Sequence, residues 1–308
     1  MKDYAIQAID LTKTFPGGAV AVSGLDLQVE RGAVFGLMGR NGAGKTTALR
    51  LLMGLLQPDH GTALLLGANL WTARRSARSR IAYVSQTEQL PSWMTLGELC
   101  RYVSHFYEQW NQDLIRDLAR RWALPWNRAV GQLSNGEQRK AAIALGLAPR
   151  PEVLLLDEPA AGLDPIARRE LVEELVSVIS RGDGCTVLFS THVTADVERI
   201  AEYVGFMDRG RLLLSARLDD LQAGTRRVQI IFPGEAAPKN LAIPGAVRVE
   251  TAGPVVTAIT RHADYQYFES LQTRPGVRVQ VFPMNLEEIF IEVISQNHRE
   301  DNETATAP

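Results

Sequence analysis

The chain has 308 residues, 45% of them hydrophobic and 22% charged, which is enough apolar side chain for a sizeable core and enough length for one large domain with a smaller appendage. Thirty-three Lys and Arg against 35 Asp and Glu leave a formal net charge of -2, so there is no electrostatic footprint for DNA or RNA. The two cysteines, Cys100 and Cys185, are far apart and have no CxxC pair or His cluster around them, which excludes a disulfide framework and a zinc site and suits a reducing compartment.

The first residues, Met1 to Ile6, turn polar quickly and lack the apolar core of a signal peptide, and no run of about 18 apolar residues follows. The expectation is a cytoplasmic chain whose membrane role, if any, comes through a partner. Residues 5–34 alternate apolar and polar around the breaks Pro16-Gly17-Gly18 and Arg31-Gly32, which predicts an antiparallel edge sheet. The nearly all-apolar run 33–38 reads as a buried strand entering a glycine-rich turn, and 46–56 as a helix. Between 88 and 148 amphipathic segments such as 96–106 and 114–122, broken at Pro125, predict an inserted helical subdomain. Two buried-type strands, 153–156 and 186–189, flank a charged helix over 165–179.

The α/β body is expected over 1–223. Short β-like runs at 228–232, 247–250, 255–260 and 277–282, with helices at 265–271 and 286–294, predict a small α+β domain over 224–298. A polar tail over 299–308 is expected to fray.

The strongest chemical signal is Gly39-Arg40-Asn41-Gly42-Ala43-Gly44-Lys45-Thr46-Thr47. GxxxxGK[ST] places glycines where backbone amides must wrap around the β- and γ-phosphates of a nucleotide. Lys45 would neutralise phosphate charge, the following helix N-terminus adds its dipole, and the Thr46 hydroxyl would ligate Mg²⁺. In Leu154-Leu155-Leu156-Asp157-Glu158-Pro159 two carboxylates stand just past a buried strand. Taken with the phosphate loop, Asp157 reads as a Mg²⁺ partner acting indirectly, through another ligand or a water, and Glu158 as the base that polarises the attacking water. His192, ending Phe189-Ser190-Thr191-His192, reads as a residue that senses or positions the γ-phosphate.

Leu133-Ser134-Asn135-Gly136-Glu137-Gln138, at its distance from both motifs, resembles the signature of the ABC transporter ATPases. The resemblance implies a P-loop NTPase (RecA-like) ABC ATPase core of α/β class, with an antiparallel β subdomain and a helical subdomain. It implies ATP and Mg²⁺ as cofactors. It also implies a second ABC ATPase domain as partner, in a homodimer or heterodimer, whose phosphate loop is completed by Ser134 and Gly136. Phe15 would stack on adenine, Gln86 would connect Mg²⁺ to the helical subdomain, and Ala161-Gly162-Leu163-Asp164 would be the D-loop. Asn135 and Glu137 depart from the family's LSGGQ, and a carboxylate at 137 would weaken the grip on an anionic nucleotide.

The text at 106–111 and 285–290 is similar to ATPases of peptide and antibiotic exporters. That similarity implies a separately encoded membrane permease and a location on the cytoplasmic face of the membrane; in the ABC family the stretch with Leu90, Trp93, Met94 and Leu96 faces the membrane partner, which implies a docking surface there, with ordinary core as the alternative. From 226 onward it extends only to the closing helix. Arg74, Arg75, Arg78 and Arg80 read as a solvated helix face, with lipid head groups as the alternative. Alternatives for the whole chain are a soluble ABC ATPase acting on ribosomes or DNA, an importer ATPase, and a binding-only regulator.

Overall fold

The computed structural model describes residues 3–73, 75–86, 90–181, 184–233, 237–238 and 241–306. The chain forms two compact units, Met1–Ser215 and Ala216–Pro308. In chain order the first unit contains β1 (Tyr4–Thr14), β2 (Val20–Glu30), β3 (Val34–Gly39), α1 (Lys45–Leu52), β4 (His60–Leu65), α2 (Arg75–Arg78) and β5 (Ile81–Val84). It continues with α3 (Leu96–Ser104), α4 (Gln112–Arg121), α5 (Asn135–Leu147), β6 (Val153–Asp157), α6 (Pro165–Arg181), β7 (Thr186–Thr191), α7 (Thr194–Ile200), β8 (Tyr203–Asp208) and β9 (Arg211–Arg217). The second unit contains α8 (Leu218–Gly224), β10 (Thr225–Ile231), β11 (Ala246–Ala252), β12 (Val255–Arg261), α9 (Tyr265–Gln272), β13 (Arg278–Pro283) and α10 (Leu286–Thr306).

Two sheets enclose the core of the first unit. One has the order β5-β6-β7-β3-β8-β9 and is parallel through its β5-β6-β7-β3-β8 pairings; the other is antiparallel, β2-β1-β4. Every residue of β3, β6 and β7 is buried, as expected of parallel strands covered on both faces, whose sequences are continuous apolar runs. β2 buries one face and alternates from Leu25 to Val29, whereas irregularities in the β1–β2 register bury Ala5 and Ile6 side by side on β1. α1 buries Ala48, Leu49, Leu51 and Leu52 in the same apolar cluster as Ile6 and Leu27 of the antiparallel sheet and Phe35 and Leu155 of the parallel one. The helix after the phosphate loop is thus held from both sides.

In the helical segment, Thr95 and Glu98 form a reciprocal cap on α3, and Ser134 and Glu137 do the same on α5. The Ser134 N–H donates to Glu137 Oε2 at 2.7 Å, and the Glu137 N–H to Ser134 Oγ at 3.3 Å. The departure at 137 is therefore a helix-capping carboxylate committed to its own N-terminus.

Four expectations change. The first unit closes at Ser215 rather than 223, because α8 packs on β10, with Thr225 Oγ1 donating to Leu221 O at 2.8 Å. α10 continues to Thr306, so the fraying tail shrinks; no Gly or Pro interrupts 286–306, and extending a nucleated helix costs little. The basic cluster is not one solvated face: Arg80 precedes β5 and forks onto Glu152, Nη2 to Oε2 at 2.7 Å, while Arg78 donates to Leu70 O at 2.7 Å. Leu96 belongs to the core, whereas Trp93 is 77% exposed. Arg74, the expected subdomain start at 88 and the last residues, 307–308, lie outside the described residues.

The second unit is an antiparallel sheet, β11-β12-β10-β13. Val228, Ile230, Val256 and Ala258 form its apolar core with Phe268 and Leu271 of α9. Arg227, adjacent to Val228 on β10, pairs with Glu288 of α10 at 2.8 Å, and Arg248 of β11 pairs with Glu292 at 2.6 Å. The period-2 alternation of the strands places α10 against the polar face.

Glu98, Glu137 and Glu288 are all held below the usual carboxylate value of 4.5, first of all by backbone donors at Thr95, Ser134 and Asn285. Their folded values lie below their unfolded ones, so their contribution is present above about pH 4.5 and is lost as pH falls through the lower folded values. Thermal unfolding followed by circular dichroism should show a falling midpoint in that acid window. At neutral pH Glu137→Ala should cost about 1 kcal/mol, whereas Glu137→Gln, which can keep the cap, should cost little.

Candidate nucleotide site

β6, β7 and β3 run parallel and adjacent, so the loops leaving their C-terminal ends open on one edge of the sheet. Ligands of parallel α/β sheets sit there. The glycine-rich loop follows β3, Asp157 ends β6 with Glu158 next, and Thr191 ends β7 with His192 next. β3 and β6 are two strand spacings apart, ~10 Å, with β7 between them.

Gly44 caps α1 in the left-handed region at φ 103°. A Cβ there would stand 2.1 Å from Ala21 O, and one at Gly39 would stand 2.4 Å from Met207 O. Only glycine lets the loop pass this close to neighbouring backbone. Asn41, Gly42, Ala43, Gly44, Lys45, Thr46, Thr47, Gln86 and Glu158 line one cavity of about 320 Å³, joined by Ala21. The first-turn amides of α1 have no intrahelical acceptor, which makes the loop an anion cradle.

Beneath the cavity Asp157 is fully buried. Its Oδ1 accepts from Thr46 Oγ1 at 3.1 Å and from Ser190 Oγ at 2.6 Å, and its Oδ2 accepts from the Tyr83 hydroxyl at 3.4 Å. Burial first, and then the Asp157 charge, push the Tyr83 hydroxyl up to about 12, so it stays a donor. Ser190 Oγ in turn accepts the Glu158 N–H at 2.9 Å.

Lys45, itself buried, donates from Nζ to Gly39 O at 2.7 Å and lies 3.1 Å from Glu158 Oε1. That contact is an ion pair off the hydrogen-bond direction. Glu158 Oε1 is therefore a buried acceptor with no hydrogen-bond donor among the described residues. His192 Nδ1 stands 2.9 Å from the other oxygen, Oε2.

The remaining expected residues lie outside the cavity lining. Phe15 sits in the turn between β1 and β2, 38% exposed. Ser134 and Gly136 are at the start of α5, and Asp164 Oδ1 caps α6 by accepting the Ile166 and Ala167 N–H groups at 2.9 and 3.0 Å. Sequence reasoning missed Tyr83, Ser190 and Arg139. Ser190 stood inside a quoted strand end, while no spacing singles out a Tyr on β5 or an Arg within α5.

A glycine-rich anion cradle, a buried carboxylate beneath it and a second carboxylate at its mouth define a P-loop nucleotide-hydrolysing protein. A family model described as "ABC transporter" matches residues 22–161. A "Nod factor export ATP-binding protein I" from Sinorhizobium fredii is 32% identical over 307 residues, covering 97% of this chain and 88% of that one. Its namesake from Burkholderia orbicola is 34% identical over 284 residues, covering 89% and 92%. An ATP-binding subunit of an ABC transporter superposes with a TM-score of 0.62 at 27% identity, covering 71% of this chain and 92% of its own. The chain belongs to the ABC transporter family, as one of its ATP-binding and ATP-hydrolysing subunits. The Sinorhizobium match spans both units, further than the closing-helix similarity noted in the sequence.

Gly44→Ala should drive a Cβ into the Ala21 carbonyl at a positive φ. The expected loss is about 2 kcal/mol or more in stability, read as a lower melting temperature, together with loss of Mg·ATP binding.

Proposed function

We propose that this chain drives export of a substrate through a separately encoded membrane permease, hydrolysing ATP between two ABC ATPase domains. The observation that carries the reading is Glu158 Oε1, a buried carboxylate oxygen left without a hydrogen-bond donor at the mouth of the phosphate cavity. Export is supported by the Sinorhizobium and Burkholderia relatives, both named Nod factor export ATP-binding protein I.

In this reading the amides of 42–47 and Lys45 hold the β- and γ-phosphates. As phosphate oxygens arrive, Lys45 exchanges its contact with Glu158 for them, and Glu158 is released to take a proton from the attacking water. His192, on the opposite oxygen, orients the Glu158 carboxylate toward the γ-phosphate. Phe15 stacks on adenine.

Thr46 and Gln86 offer hard oxygen groups in the cavity lining, and Asp157, bonded to Thr46 Oγ1 beneath it, backs them, which suits Mg²⁺. The described residues include no cluster of three or more His, Cys, Asp or Glu able to hold a metal alone, so the donor set fits an ion completed by phosphate oxygens. Bound there, Mg²⁺ would neutralise charge on those oxygens.

Ser134 and Gly136 lie outside the lining of the cavity of their own chain, which supports a signature that serves a nucleotide brought by another copy or a related domain. Asp164 of the D-loop belongs to the same contact. Among the described residues no helix is long and apolar enough to cross a membrane. Export then needs a membrane partner on whose cytoplasmic face the chain sits. Trp93, with the exposed edge-to-face pair Tyr102 and Phe106, ring centroids 5.2 Å apart, supports docking of that partner on the helical segment.

Glu158→Gln should keep Mg·ATP binding and lose turnover by about 10²- to 10⁴-fold, and with ATP it should elute from gel filtration as a dimer. Lys45→Ala should abolish nucleotide binding. Parent-rate phosphate release from Glu158→Gln would refute the assignment of the base.

A further inference from the structure

Arg139 lies one turn into α5, just beyond the signature, and its guanidinium reaches the backbone at the ends of β5 and β6. Nε donates to Pro159 O at 2.8 Å, Nη2 donates to Asp157 O at 2.5 Å and to Glu158 O at 2.8 Å, and Nη1 donates to Ser85 O. Four backbone carbonyls at the ends of β5 and β6 converge on one cation, and none of its hydrogen bonds goes to a carboxylate. Burial draws the guanidinium below its ordinary value, and the Asp157, Tyr83 and Glu158 charges oppose that shift; an arginine remains charged regardless.

Two features of the clamped segment make this more than a packing contact. Glu158 holds a left-handed backbone at φ 46°, a conformation that costs a non-glycine residue of order 1–3 kcal/mol and needs the surroundings to over-determine it. Three of the four carbonyls belong to Asp157, Glu158 and Pro159, so the clamp and the Ser190 bond to the Glu158 N–H fix that residue's backbone from both sides. The fourth, Ser85 O, immediately precedes Gln86, which lines the nucleotide cavity.

We propose that Arg139 is a positioning residue for hydrolysis: by clamping the carbonyls of Ser85, Asp157, Glu158 and Pro159 it holds the Glu158 carboxylate and the Gln86 loop in register with the signature helix. Ser134, which caps α5, and Arg139 ride on the same rigid helix, so any displacement of the signature by a nucleotide is delivered to the backbone of Glu158. The proposal rests on reading Glu158 as the base. It adds a residue that touches neither nucleotide nor water yet sets where the base stands. A lysine keeps the charge but cannot reach four acceptors with a planar fork.

The test uses the full chain as parent, Arg139→Lys, Arg139→Met and Glu158→Gln, each measured for Mg·ATP affinity, melting temperature, kcat and KM. Both Arg139 variants should bind ATP within about threefold of the parent and lose about 10- to 100-fold in kcat with little change in KM, the cost of a misplaced catalytic group. Parent-level kcat in Arg139→Lys would overturn the clamp in favour of simple charge. Loss of ATP binding together with a collapsed melting temperature in both variants would overturn it in favour of a merely structural cation. An inactive Glu158→Gln beside fully active Arg139 variants would overturn this inference alone, whereas a Glu158→Gln at parent rate would remove the base and this inference with it.

Discussion

A carboxylate with no exposure to water has to find donors in the protein, and Asp157 finds them on three separate elements. An unpaired buried charge would be prohibitive, so Thr46 at the start of α1, Ser190 on β7 and Tyr83 on β5 are drawn to the same point. That convergence sets the distance between the phosphate loop and the end of β6. Because Ser190 also accepts the Glu158 N–H, satisfying the buried Asp157 places the neighbouring Glu158 at the mouth of the cavity. The placement of both carboxylates follows from the need to pair one charge.

The pairings around Glu158 show a site poised for an anion. Lys45 is held by Gly39 O and stands beside Glu158, an arrangement in which the loop's cation and the mouth's carboxylate neutralise each other. Phosphate oxygens compete for that cation. The proposed release would leave the carboxylate with one oxygen beside His192 and the other to accept a proton. In the proposed mechanism, binding and activation are linked through one lysine.

The signature helix joins this site from the other direction. Its N-terminus is organised by Ser134 and Glu137 and its second turn by Arg139, so the residue that departs from the common signature maintains the helix end. The second unit contributes an antiparallel sheet whose polar face is tied to α10 by ion pairs. The half-exposed Arg227–Glu288 pair adds little stability, Glu292 of the other pair is buried, and the apolar face against α9 holds this unit together.

Much of this was legible in the residues. The buried runs at β3, β6 and β7 announced parallel strands because strands covered on both faces must be apolar throughout, and Gly39 to Thr47 announced a phosphate loop because only glycine permits its close backbone approaches. Asp157, Glu158 and His192 could be placed at strand ends from the same reasoning. Tyr83, Ser190 and Arg139 could not, since their roles depend on which strands are neighbours and which carbonyls converge, and the chain order β5, β6, β7 and β3 does not state that β7 lies between β6 and β3. Local chemistry, which needs only adjacent residues, was determined by the sequence alone. The partnerships across sequence separations of 18 to 111 residues, from Arg139 to Asp157 and from Thr46 to Asp157, were decided by tertiary structure, because hydrogen bonds are short and directional and only the folded sheet brings those atoms within reach.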